Sequence, residues 1–270
     1  MILFFVNILF THSKTVVIFP KTLDIIALLV YTIMIWILSL NGRLGYKRRI
    51  IMYRYVEDKK FVSRMRNVCG EIMQDLCHNL SVDYGIGSVP HLVGSGKRKL
   101  ITQNNSNPVD LDYNLEIVTC ENFKDCRAIK EAVRKSFNKA LSSHGLNDCQ
   151  DSTSSLTTNK MHFTNGNSTE FSIDVCIVCL DNEDNLYRLI HDKTGFTYYD
   201  SYNWDISPNS AKLCKKADCI KRSGKWQSVR DQYITTKNTY LQRNDYNHPS
   251  FICYLETVNN VYNSMKNGGK

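Results

Sequence analysis

The chain has 270 residues, 43% of them hydrophobic and 22% charged, the composition of an ordinary folded protein with one sizeable domain or a smaller domain and an appendage. Its formal charge of +8 is uneven: residues 1–51 carry Lys14, Lys21, Arg43, Lys47, Arg48 and Arg49 against Asp24, a balance of +5, which leaves +3 for the rest. That remainder is too small for charge alone to indicate a nucleic-acid partner, so nucleic acid is not the expected ligand.

The ten cysteines are scattered, several at core-like positions, and read as reduced cytosolic thiols rather than a disulfide framework. Cys176 and Cys179 are close enough in sequence for zinc. They fall inside an apolar strand, however, where odd spacing sends them to opposite faces, and this argues against such a site.

Residues 22–40, TLDIIALLVYTIMIWILSL, form a nearly charge-free run of the length a bilayer requires. Arg43, Lys47, Arg48 and Arg49 follow it, which by the positive-inside rule would leave a cytoplasmic domain anchored to the inner face of the membrane. The competing reading is an extension added by a start codon placed upstream of Met52. On either reading the chemistry begins near residue 52, giving a division into 1–51 (anchor or extension), 52–205 (core) and 206–270 (helical region).

From Asp58 to Leu80, Phe61, Met65, Val68, Ile72, Leu76 and Leu80 recur every three or four positions and predict an amphipathic helix. SVDYGIGSVP breaks it, and HLVGSG reads as a short strand entering a turn. VDLDYNLEIV alternates as a strand. Residues 122–141 predict a second helix through Ile129, Val133, Phe137 and Leu141. After the Ser/Thr-rich loop DSTSSLTTN, the Asn-Gly pair between MHFT and EFSIDVCIVCL signals a hairpin, and NLYRLIHD is a further strand. The sheet is therefore mixed or antiparallel and flanked by helices, an α+β fold with no dinucleotide-binding βαβ repeat. From Ser210 the pattern is helical, with Trp226, Val229 and Tyr233 on one face and Phe251, Leu255, Val258, Tyr262 and Met265 on another.

The stretch VGSGKRK is not a P-loop, because position 91 is His rather than Gly and position 98 is Arg rather than Ser or Thr. In VDLDYNLEI the alternation puts Asp110 and Asp112 on one face, roughly 7 Å apart. Two neighbouring carboxylates repel unless solvated or bridged by a cation, and Mg²⁺ takes carboxylates together with phosphates. Asp174 stands in the middle of the apolar strand EFSIDVCIV, where an unpaired charge is costly. If that strand lies beside VDLDYNLEI, the three acids form a site able to hold two metal ions; taken singly, each reads as a solvated strand residue.

Gly94-Ser95 behind the hydrophobic Val93, a polar spacer, Asp110-Leu111-Asp112 and the later strand residue Asp174 resemble the signature of the nucleotidyltransferase superfamily with the DNA polymerase β-like fold. The resemblance covers about residues 60–195; its one departure is a long spacer of fourteen residues between Ser95 and Asp110, which leaves the placement of Lys97, Arg98 and Lys99 open. It implies that Gly94, Ser95 and Lys97 meet the phosphates of a nucleoside triphosphate. It also implies that Asp110, Asp112 and Asp174 hold two Mg²⁺ (or Mn²⁺) and that a nucleoside monophosphate passes to an acceptor hydroxyl with release of pyrophosphate. The acceptor would be a small molecule, a nucleotide or a protein. The alternative function is a non-catalytic nucleotide-binding or interaction module, tethered to the membrane if residues 22–40 are an anchor.

Outside this pattern, Tyr198, Tyr199, Tyr202 and Trp204 read as a hydrophobic clamp between the sheet and the C-terminal helices, with base stacking the competing role. Lys212, Lys215 and Lys216 read as a solvated helix face, and His191 and His248 have no partner identifiable in the sequence.

Overall fold

The structure is a computed structural model that describes residues 52–208, 210–245 and 249–267. The apolar run 22–40 and His248 lie outside the described residues; no helix among those described is long and apolar enough to cross a membrane.

The first helix, α1 (Lys59–Tyr84), begins where the Asp58 side chain accepts a hydrogen bond from Phe61 N at 2.9 Å. It ends at Gly85, whose φ of 65° lets its N–H turn back to Leu80 O and Ser81 O. It runs four residues past the last apolar position that the sequence periodicity marked. Strand β2 (Gly87–Leu92) follows, then a single helical turn, α2 (Gly94–Arg98). Next comes β4 (Val109–Thr119), preceded by the short β3 (Thr102–Asn104), which pairs with β1 (Tyr53–Tyr55) in a separate ribbon.

Helix α3 (Cys126–Ser143) carries the chain across to β7 (Phe171–Leu180), which lies parallel to β4. This is one parallel crossover, and every other pairing in the sheet is antiparallel. The edge of β7 away from β4 is shared. Its first half pairs with a small hairpin, β5 (Gln150–Asp151) and β6 (Leu156–Thr157); its second half pairs with β8 (Leu186–Asp192), which in turn pairs with β9 (Ser201–Ile206).

One face of this sheet is dry. Val109, Leu111, Tyr113, Leu115 and Ile117 of β4 and Phe171, Ile173, Val175 and Ile177 of β7 are buried in one core with the apolar stripes of α1 and α3. The period of two in the strands and of three to four in the helices places these residues there, so the helix-covered face was legible in the sequence. A second core gathers Leu100 with Ile220, Val229, Tyr233 and Val258 from α4 (Ala211–Arg222), α5 (Trp226–Gln242) and α6 (Ser250–Asn267).

Two expectations need correction. The Asn-Gly segment does not join two paired strands: Met161 and Phe171 form an isolated antiparallel bridge, and MHFT is otherwise irregular. The partner strand expected there is supplied instead by the two-residue β6, too short to show any periodicity. The aromatic run is not a clamp against the C-terminal helices: Tyr198 and Tyr199 are exposed, and Tyr202 and Trp204, on β9, pack against the core that contains α3. The Trp204 indole N–H donates to Phe123 O at 2.7 Å, which ties β9 to the entry of α3.

Candidate active site

Because side chains alternate along a strand, the residues between the buried positions of β4 and β7 face away from α1 and α3. On β4 these include Asp110 and Asp112, and on β7 Ser172 and Asp174. The strands are parallel and in register, Asp110 beside Ser172 and Asp112 beside Asp174. The condition on which the three-acid reading depended is therefore met, and Asp110, Asp112 and Asp174 share one face.

The glycine turn lies against the same acids. Val93 N donates to Asp112 O at 2.8 Å, and Gly94 adopts a φ of 60°. A Cβ at Gly94 would stand 1.9 Å from Asp112 Oδ2, so both the backbone conformation and the close approach require glycine. Gly96 is buried against Leu111 and Leu92, and the Arg66 guanidinium of α1 donates to its carbonyl. Ser95 is half-buried and Lys97 exposed. Of the basic residues that the sequence left open, Arg98 is the one whose charge opposes the rise at Asp112; its guanidinium stacks over Tyr254 of α6 at 4.2 Å.

Two of the acids, Asp112 and Asp174, are electrostatically strained. Burial, then the charges of Asp174 and Asp110, push the Asp112 carboxyl up from 3.8 to about 6, with Arg98 acting in the opposite direction. Burial also raises Asp174; the Thr157 hydroxyl opposes that rise and Asp110 adds to it. Two hydroxyls grip the cluster from the side: Ser172 Oγ donates to Asp110 Oδ1, and Thr157 Oγ1 to Asp174 Oδ1, each at 2.6 Å. Among the described residues no three His, Cys, Asp or Glu side chains converge into a ready metal cage. The donor set nonetheless fits magnesium, which binds through one or two carboxylates and completes its shell with water and substrate phosphate. A divalent cation would also remove the repulsion that raises Asp112.

Sequence reasoning missed one cation. Lys237 continues the stripe of Val229 and Tyr233 by one more i+4 step, a signal that was present but read only for its apolar members. Its side chain is 92% buried, since its exposure is 8%, and it donates to Thr102 Oγ1 at 2.9 Å and Ser250 Oγ at 3.0 Å. The ammonium lies 3.9 Å over the Tyr53 ring, and no carboxylate is within ion-pair distance among the described residues. Burial pulls it down to about 8, although the charges of Cys253 and Asp110 hold it up. A cavity of about 220 Å³, lined in part by Tyr53, Lys237, Ser250 and Cys253, opens beside it.

His191, which had no partner in the sequence, has two in space. On the helix-covered side its Nδ1 lies 3.0 Å from Asp151 Oδ2 and its Nε2 3.0 Å from Asp200 Oδ2, with Tyr202 stacked on the ring at 4.1 Å. Lys130 of α3 pairs with Asp151 Oδ1 at 2.7 Å. Burial works to raise Asp151, but the hydrogen bond and charge of Lys130, with Lys193 and His191, hold it below the usual carboxylate value.

No protein-family model matches this chain, and no curated protein matches it. Among solved structures it is similar to E. coli MS115-1 CdnC in a complex with HORMA-deltaN, with TM-score 0.49 and 15% identity over 78% of this chain and 60% of that one. It is also similar to the CdnE cyclic dinucleotide synthase of Elizabethkingia meningoseptica, solved with GTP and Apcpp, with TM-score 0.40 and 13% identity over 75% and 78% of the two chains. A third is the Bradyrhizobium diazoefficiens CD-NTase CdnG in complex with GTP, with TM-score 0.36 and 13% identity over 69% of this chain. This chain spans 43% of CdnG and 38% of the GTP-bound DncV of Vibrio cholerae.

Proposed function

We propose that the chain transfers a nucleoside monophosphate from a nucleoside triphosphate to an acceptor hydroxyl, with release of pyrophosphate. The observation that carries this reading is the register of β4 and β7, which sets Asp112 beside Asp174 on the face where Asp110 also lies, with the Gly94 turn packed on Asp112. Three carboxylates kept together at this electrostatic cost suit a reaction that brings a cation, and a module that merely bound nucleotide would not need all three.

Asp110, Asp112 and Asp174 would hold Mg²⁺, which when bound neutralises charge on the attacking and leaving oxygens of the α-phosphate. Asp174, whose carboxyl is raised, stands to accept the proton of the acceptor hydroxyl. The N–H groups and Ser95 hydroxyl of the Gly94 turn would hold the terminal phosphates. Lys237, a desolvated cation with hydroxyl partners and an aromatic face, would offer its charge to the same triphosphate, since the Asp110 charge already acts on it.

The test is incubation of the full chain with each labelled nucleoside triphosphate and Mg²⁺, alone and with a second nucleotide as acceptor, following pyrophosphate and new phosphodiester products. Metal-dependent release that disappears in Asp112→Ala and Asp174→Ala supports the reading. Nucleotide binding without turnover in any acceptor pool overturns it.

A further inference from the structure

The Ser/Thr-rich segment after α3, which the sequence suggests is only a loop, folds into the β5–β6 hairpin. Its turn is closed by Ser152 N and Ser152 Oγ, both donating to Ser155 O at 2.9 Å. The hairpin meets the sheet at a short junction: Leu156 is beside Val175 and Thr157 beside Asp174, Thr158 N donates to Ile173 O at 3.0 Å, and Ile173 N donates to Thr158 Oγ1 at 2.9 Å. Asp151 is in register with Leu156, so it belongs to the helix-covered side, where Lys130 and His191 hold its carboxylate. Thr157 belongs to the other side and donates its hydroxyl to Asp174 Oδ1 at 2.6 Å, the length of a charge-assisted O–H···O⁻ bond. The hairpin is thus anchored by ions on one face of the sheet and presents a single hydroxyl on the other.

We infer that Thr157 is a positioning residue: it fixes the rotamer of Asp174 by occupying one carboxylate oxygen, leaving Oδ2 to meet the cation and the acceptor. A carboxylate on a strand swings about χ2 over a broad range, whereas threonine, branched at Cβ, has few χ1 choices and a backbone pinned here on both sides. The inference rests on the nucleotidyl-transfer reading, in which Asp174 is a cation ligand. Ser172 grips Asp110 in the same way but from within β7 itself. Thr157 reaches Asp174 from a separate element, so its effect depends on where the hairpin sits.

The experiment uses the full chain with Thr157→Val, Thr157→Ser and Asp174→Ala. Mn²⁺ binding is read from the electron paramagnetic resonance signal of free Mn²⁺, and the half-saturating Mg²⁺ concentration is read in the transfer assay. Thr157→Val, nearly isosteric, is expected to weaken Mn²⁺ binding and raise the half-saturating Mg²⁺ by about 10- to 100-fold, the range for losing a partner that orients a metal ligand. Thr157→Ser should restore most of both, and thermal melting should show all three variants folded. If Asp174→Ala loses Mn²⁺ binding and transfer while Thr157→Val matches wild type in both, the inference is overturned and nucleotidyl transfer stands. If wild type and Asp174→Ala are alike in both readouts, the nucleotidyl-transfer reading falls and takes this inference with it.

Discussion

Two groups of charges sit on opposite faces of the same sheet, and they are built on opposite rules. On the helix-covered face, Lys130 pairs with Asp151 at 2.7 Å, and His191 lies 3.0 Å from both Asp151 and Asp200. On the other face, Asp110, Asp112 and Asp174 are all acids; burial and the neighbouring carboxylates raise Asp112, and burial and the Asp110 charge raise Asp174. A paired cluster explains itself as structure: its charges satisfy each other and hold α3, the β5–β6 hairpin and β8 together. The cluster of one sign has hydroxyl partners at Asp110 and Asp174 but no ion pair among the described residues, and a bound cation would balance it.

The comparison breaks most visibly if the acids are removed. Asp112→Ala and Asp174→Ala should each lower metal-dependent transfer by about 10³-fold or more, since several kcal/mol of charge stabilisation go with them. Transfer rates measured on folded protein check this, and a loss below tenfold would put the two clusters in the same class.

Lys130→Met tests the paired side. It removes the buried ammonium and leaves Asp151 with Lys193 at 3.4 Å and His191 at 3.0 Å, a partial loss of about 1–3 kcal/mol of stability. Denaturant unfolding should show that loss, and the double variant with Asp151→Asn should recover part of it.

Asp112→Asn should do the reverse and stabilise. The folded-state carboxyl is raised from 3.8 to about 6, so wild-type stability from this group is complete below about 3.8 and is lost as pH rises through about 6. At 1.36 kcal/mol per pH unit that loss is roughly 3 kcal/mol at pH 7.5, and Asp112→Asn should gain up to this amount there and nothing at pH 3.5. Equal stability of the two proteins at pH 7.5 would mean that the acids are not strained.

The smallest expected effect is at Lys237, whose ammonium loses its proton near pH 8 in the folded chain. KM for the triphosphate should climb above that pH in wild type and stay flat in Lys237→Arg. In Lys237→Met it should be raised about tenfold at pH 7, with kcat little changed, the cost of one charged hydrogen bond. A KM that ignores both pH and substitution would return Lys237 to a structural role.

Much of this was legible in the residues. The stripes of α1 and α3, the alternation of β4 and the pairing of Asp110 with Asp112 on one face follow from periods of 3.6 and 2, which are local properties of the chain. What local period could not supply was partnership. His191 reads as a lone histidine because Asp151 is forty residues away, and Lys237 reads as an ordinary helix lysine because Thr102 and Tyr53 come from the other end of the described chain. Strands β5 and β6 have two residues each, below the length at which alternation can be seen, so Thr157 looked like one more polar loop residue.

The sequence by itself determined which residues are acidic, which face of each strand they occupy and that Asp174 would be expensive in an apolar run. Only the tertiary structure decided that β7 lies parallel to β4 with Asp174 beside Asp112 rather than one residue out of step, where the acid would have turned into the core. That register is set by long-range packing: α3 carries the chain over the sheet and buries Ile173 and Val175 beside Leu111 and Tyr113. No short window of sequence contains both sides of that contact.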